Sequence, residues 1–121
     1  MVDLYTEALS ADYETVCEIM NRIEQYQKFY EEKSEEYFQV RECYLRRIEA
    51  EILHGVELPA GERGNLYDKI KKSSAQYRIY KINAGICTAL KHSGFFFADN
   101  ESDKMYFFRE AVTNVINRED K

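Results

Sequence analysis

Apolar residues recur at helical spacing through the first half of the chain: Val16, Ile19, Met20, Ile23, Tyr26, Tyr30, Tyr37, Tyr44, Ile48 and Ile52. Steps of three, four and seven keep one stripe of a helix apolar, whereas a half-buried strand needs strict alternation. From Ser10 to Leu53 no glycine or proline interrupts the run, so the pattern predicts one long amphipathic helix, or two helices in line. Ser10, followed by Asp12 and Glu14, reads as its N-cap, and Gly55 after His54 as its C-cap. If continuous, about 43 residues at 1.5 Å each make a rod of about 64 Å. The stripe lapses once, at Glu31, Glu32, Lys33, Ser34, Glu35 and Glu36, which are polar all round. A kink is expected at Ser34 if anywhere, but none of the six is a helix breaker, so continuity is the expectation.

His54 to Asn65 contains Gly55, Pro59, Gly61 and Gly64 and is the one clear linker. Asn65, with Asp68 three residues on, predicts the cap of a second helix running to about His92 and closed by Gly94. Its apolar set starts narrow, with Leu66, Ile70 and Tyr77. It widens into Tyr80, Ala84 and Cys87 on one side and Ile79, Ile82, Ile86 and Leu90 on another. The second half of this helix is therefore expected to be buried on more than one face. Ser73, Ser74 and Ala75 are small enough to admit a close neighbour. After an aromatic connector, Phe95 to Phe97, Ser102 opens a third helix with the seam Met105, Phe108, Val112, Val115 and Ile116.

The predicted fold class is all-α: one helical domain over residues 1–121, in which the long N-terminal amphipathic helix packs against two shorter helices in a bundle. Tyr30, Tyr37 and Tyr44 fall at heptad spacing where cover by the chain's own downstream segments is least assured. Completion of the bundle by dimerisation is the expectation. The alternative is that these rings seal the edge of the monomer's own core.

Composition sharpens this reading. One proline and five glycines in 121 residues leave few turns, which weighs against an all-β fold. Hydrophobic residues at 45% and charged residues at 32% describe a globular or bundle-forming chain. No apolar run is longer than that of Phe95 to Ala98, far short of the roughly 20 residues of a membrane helix, so no membrane association is expected. Residues 1–14 carry Asp3, Glu7, Asp12 and Glu14 without a basic or apolar leader pattern, so no secretion signal is expected. Cys17, Cys43 and Cys87 are odd in number and contain no CxxC pair. They suggest buried inert thiols in a reducing, cytoplasmic compartment rather than a disulfide framework or a zinc site.

Charge divides the chain. Residues 1–57 hold 14 Asp and Glu against 6 Lys and Arg, and residues 58–121 hold 8 against 11, balances of −8 and +3 within a net −5. Antiparallel packing of the first two helices would set opposite charges side by side, which fixes register more than it adds stability. The second helix interleaves Tyr67, Lys69, Lys71, Lys72, Tyr77, Arg78, Tyr80 and Lys81, as a single-strand nucleic-acid surface would. Against that, Tyr77 and Tyr80 lie on apolar stripes, and the whole chain, with a pI near 5.1, repels phosphate at long range.

Candidate chemistry is sparse. Glu51 and His54 form one ExxH, but a di-iron bundle needs two, and both His54 and His92 sit where a helix end favours an imidazolium. Asp99, Glu101, Asp103 and Glu110 match positions 1, 3, 5 and 12 of a calcium loop, yet the position that requires glycine is Lys104. Capping of the third helix explains the same acidic run. No phosphate loop, dinucleotide fingerprint or nucleophile elbow is present, so no enzyme activity, cofactor or metal is expected. In outline the chain resembles flagellar and secretion chaperones, phage-encoded inhibitors of host enzymes and small helical subunits, a resemblance of architecture that does not fix function. The leading expectation is a non-enzymatic protein-interaction module, an adaptor, chaperone-like binder or inhibitor. Its expected surface is an acidic, tyrosine-rich face of the first helix: Tyr30, Glu31, Glu35, Tyr37, Phe38 and Tyr44. The competing expectations are nucleic-acid binding through Lys69, Lys71, Lys72, Arg78 and Lys81, and a purely structural homo-oligomer.

Overall fold

The computed structural model describes residues 3–119, and among them the fold is an all-α helical bundle with no strand. Five helices follow in order: α1 (Leu4–Glu7), α2 (Tyr13–Asn21), α3 (Ile23–His54), α4 (Glu62–Lys91) and α5 (Glu101–Glu119). Short 3₁₀ turns, Ala8–Ser10 and Phe95–Phe97, follow α1 and precede α5.

The first helical stretch is not one rod. Ser10 ends a 3₁₀ turn, its hydroxyl donating to the Glu7 carbonyl at 3.1 Å, and the cap of α2 is Asp12, whose Oδ1 accepts the Thr15 N–H at 2.8 Å. A one-residue turn at Arg22 (φ −114, ψ 19) then separates α2 from α3, its N–H returning to the Ile19 carbonyl. Neither Asn21 nor Arg22 is a helix breaker. The packing accounts for the turn: Val16, Ile19 and Met20 before it and Ile23 and Tyr30 after it are buried in the same core. Through Ser34, by contrast, α3 is unbroken. Side-chain bonds along the helix stitch this polar stretch: Gln27 to Glu31 at 3.1 Å, Lys33 to Glu36 at 3.2 Å and Gln39 to Glu35 at 2.8 Å.

Gly55 closes α3 in the left-handed region (φ 65), as its position after His54 predicts. The second long helix starts earlier than Asn65. Gly61, also left-handed (φ 82), precedes Glu62, and ion pairs Arg47–Glu62 and Arg63–Glu51 draw that first turn against α3. At the other end Gly94 is not a left-handed cap (φ −79); Ser93 closes α4 instead, its hydroxyl donating to the Leu90 carbonyl at 2.7 Å. Asn100 caps α5, its Oδ1 accepting the Asp103 N–H at 2.8 Å.

The chain forms two compact units. Unit 1, residues 1–31 and 80–121, contains the hydrophobic core: Leu4, Val16, Ile19, Met20, Ile23, Tyr30, Ile82, Ile86, Cys87, Leu90, Phe95, Phe108, Val112 and Val115 are its main buried members. On α4, Ile82, Asn83, Ile86, Cys87 and Leu90 are buried on more than one face of the helix, as the widening stripe predicts. Asn83, buried among them, accepts the Tyr5 N–H at 2.8 Å and ties α1 to α4. Unit 2, residues 32–79, is an antiparallel hairpin of the later part of α3 and the earlier part of α4.

Candidate interaction surface

Two helices cannot enclose a core between them, and unit 2 carries the consequence: its only buried side chains are Leu66 and Ser73. What holds the hairpin is a ladder of rings and charges. Phe38 packs on Tyr77 with ring centroids 5.6 Å apart, and the Arg41 guanidinium lies 5.4 Å and 5.3 Å from the two centroids. Lys69 sits over the Tyr44 ring at 5.5 Å. Nearer the connecting loop come Arg47–Glu62 and Arg63–Glu51. Of these, the Glu51 pair joins an acid on α3 to a base on α4, as the charge split predicts. The Arg47 pair runs the opposite way.

Several large apolar side chains of this hairpin stand in solvent: Leu45 is 38% exposed, Ile52 72%, Leu53 65%, Val56 52% and Tyr67 56%. They occur on α3 near its end, in the loop and on the first turns of α4. Several exposed large apolar side chains within one small unit mark a contact surface more often than does an isolated exposed leucine.

The residues expected to form one recognition face are divided between the two units. Tyr30 is a core residue: it is 2% exposed, stacked near Tyr26 (6.3 Å) and edge-on to Phe29 (5.5 Å), and burial pushes its hydroxyl well above the usual tyrosine range. Glu31, beside it, is exposed and bound by Gln27. Glu35, Tyr37, Phe38 and Tyr44 belong to unit 2. There Glu35 is exposed, and the three rings are half-buried, with Phe38 and Tyr44 engaged by Tyr77 and Lys69. Within the hairpin the apolar residues most open to solvent are Ile52 and Leu53, where the pattern predicts the inner seam and the end of the helix. The heptad spacing of Leu45 and Ile52 is the signal that a second, outward stripe exists.

The basic residues proposed for nucleic acid are exposed on α4, with Lys69, Lys71, Lys72 and Arg78 in unit 2 and Lys81 in unit 1. The aromatic half of that pattern is committed elsewhere. Tyr77 packs on Phe38, and Tyr80 packs against Phe29 (6.2 Å) and Tyr30 (6.3 Å), leaving Tyr67 as the exposed ring. Lys69 is already placed over Tyr44.

The chemically suggestive clusters have structural occupations. Glu51 binds Arg63, and His54 is exposed at the end of α3. Among the described residues no group of three or more His, Cys, Asp or Glu is placed to hold a metal ion. Of the thiols, Cys87 is buried and pushed up to about 12 by that burial, Cys17 is half-buried, and Cys43 is exposed, which corrects the expectation that all three are sheltered. No helix among the described residues is long and apolar enough to cross a membrane. Comparison with family models, curated proteins and solved structures finds no match to this chain.

Proposed function

We propose that the chain is a non-enzymatic protein-interaction module in which unit 1 is the folded platform and the hairpin of unit 2 is the recognition element. The observation that carries this reading is the contrast within the molecule. Both units leave large apolar groups in water, Leu9, Phe96, Phe97 and Tyr106 on unit 1 and Leu45, Ile52, Leu53, Val56 and Tyr67 on the hairpin, but unit 1 also buries a full set of side chains whereas the hairpin buries two. Exposed apolar and aromatic groups set among charged ones fit the anatomy of a protein contact, an apolar centre with a polar rim. Phe38 and Tyr44 sit behind this surface and stiffen it through the ring and cation contacts described above, and Tyr37 is half-buried beside Phe38 in sequence. Tyrosine-rich stiffening suits a surface that is wet when free, because each ring brings area at small entropy cost.

The test is association of the intact chain with protein, itself or another, before and after Ile52→Asp with Leu53→Asp. These two side chains are mainly solvent-exposed, so helicity and melting temperature should hold while association falls at least tenfold. A wild-type chain that is monomeric and captures nothing from native lysate would refute the module, as would a double variant that associates unchanged.

A further inference from the structure

The hairpin is electrically self-complementary. Residues 32–79 hold nine Asp and Glu and nine Lys and Arg, so the unit is neutral, and the chain's net −5 resides in unit 1. Within the hairpin the two arms differ: residues 32–54 of α3 carry six acids against four bases, and residues 62–79 of α4 carry two against five.

These charges are also ordered on one flank. At about 100° per residue, Glu42, Leu45, Glu49 and Ile52 form one row on α3, with Glu42 3.6 Å from Arg41, and Tyr67, Lys71, Ser74 and Arg78 form one row on α4. The inward sides are fixed by Phe38, Arg41, Tyr44 and Glu51 on α3, and by Leu66, Ser73 and Tyr77 on α4. Both rows lie on the same rotational side of those inward residues. Because the helices are antiparallel, that common rotation brings both rows onto one flank of the hairpin. The flank is thus half apolar and acidic, half aromatic and basic.

From this arrangement we infer that the occupant of the flank is a second copy of the same chain, joined hairpin to hairpin as a four-helix bundle about a two-fold axis parallel to the hairpin. The inference rests on the interaction-module reading and names its partner. Only two dyads bring identical flat flanks together face to face. An axis across the hairpin would lay α3 on α3 and α4 on α4, setting acid on acid and base on base. The axis along it lays α3 on the partner's α4, opposite charge on opposite charge and Leu45 and Ile52 beside apolar surface. A neutral flank with both signs in separate rows gives a strongly acidic or strongly basic partner no such advantage.

Register follows from contacts within the hairpin. Glu51 lies level with Arg63, Tyr44 with Lys69 and Phe38 with Tyr77. Along an axis parallel to the hairpin the two copies keep these levels, so Glu42 faces the partner's Lys71 and Leu45 lies near the partner's Tyr67.

The experiment is sedimentation equilibrium of the full chain with Glu42→Lys, with Lys71→Glu, and with an equimolar mixture of the two variants. Wild type should be dimeric. Each single variant should weaken self-association about tenfold, the scale of reversing two ion pairs at a partly exposed surface. The mixture should recover mixed dimers, because each copy of one variant then meets opposite charge at both symmetry-related contacts. Recovery on mixing is a result that a folding defect or an intramolecular Glu42–Lys71 contact would not produce. A monomeric wild type that captures a different protein through Ile52 and Leu53 would overturn the second copy while leaving the interaction module standing. A dimer indifferent to both substitutions, or singly weakened but not recovered by mixing, would overturn this flank and register.

Discussion

Replacing Tyr30 by Ala separates a core residue from a recognition residue, and its size follows from the structure. Tyr30 is 2% exposed and surrounded by Tyr26, Phe29 and Tyr80. A buried tyrosine removes on the order of 150 Å² of mainly apolar surface from water, which at about 25 cal/mol per Å² is about 4 kcal/mol. Denatured-state compaction lowers this figure and the residual cavity raises it, so the expected loss is about 3–5 kcal/mol. For a chain of 121 residues with unfolding entropy of about 2.1 cal/mol/K per residue, that lowers the melting temperature by about 15 °C. The assay is thermal and urea unfolding followed by circular dichroism. Tyr30→Phe, which loses only the hydroxyl, should cost about 1 kcal/mol, and Tyr37→Ser on the half-buried part of the hairpin under about 2 kcal/mol. If Tyr30→Ala melts within a few degrees of wild type yet abolishes association, Tyr30 is a surface residue and the assignment of unit 1 as platform fails.

Further expectations concern single sites. Adding a methyl group at Gly94 places a Cβ 3.2 Å from the Phe107 ring, so Gly94→Ala should destabilise by about 1–2 kcal/mol unless that ring moves; urea midpoints will show it. The Thr15 backbone N–H holds the Asp12 carboxyl below its ordinary value of 3.8. Its cap therefore contributes fully above that pH and is lost as acid takes the folded carboxylate, so wild type should lose more stability than Asp12→Asn on titration below about pH 4. Cys43 is exposed and Cys87 is buried with its thiol pushed up to about 12. A thiol reagent at pH 8 should label Cys43 in the native chain and reach Cys87 only on unfolding, as peptide mass mapping would record. Native labelling of Cys87 at the rate of Cys43 would contradict that packing.

Helical period, the absence of glycine and proline before Gly55, and the turn chemistry of residues 55–64 are local properties, so the all-α class, the two long helices and the closure at Gly55 could be read from residue order alone. The burial of α4 around Ile82, Ile86 and Leu90 was equally legible, because apolar groups on several sides of one helix have no stable place in water. Tertiary structure decided which tyrosine is core and which is not. Tyr30, Tyr37 and Tyr44 share one heptad phase, yet Tyr30 falls where α1, α2 and α5 complete a core, and the other two fall in a hairpin of two helices. The turn at Arg22 is of the same kind: both flanking segments gain by entering one core, a demand that no residue at the junction expresses. The outward pair Leu45 and Ile52 was visible as spacing, but spacing alone does not say which of two apolar rows a single neighbouring helix will cover. Periodicity describes a helix face, whereas burial depends on what the rest of the chain brings against it.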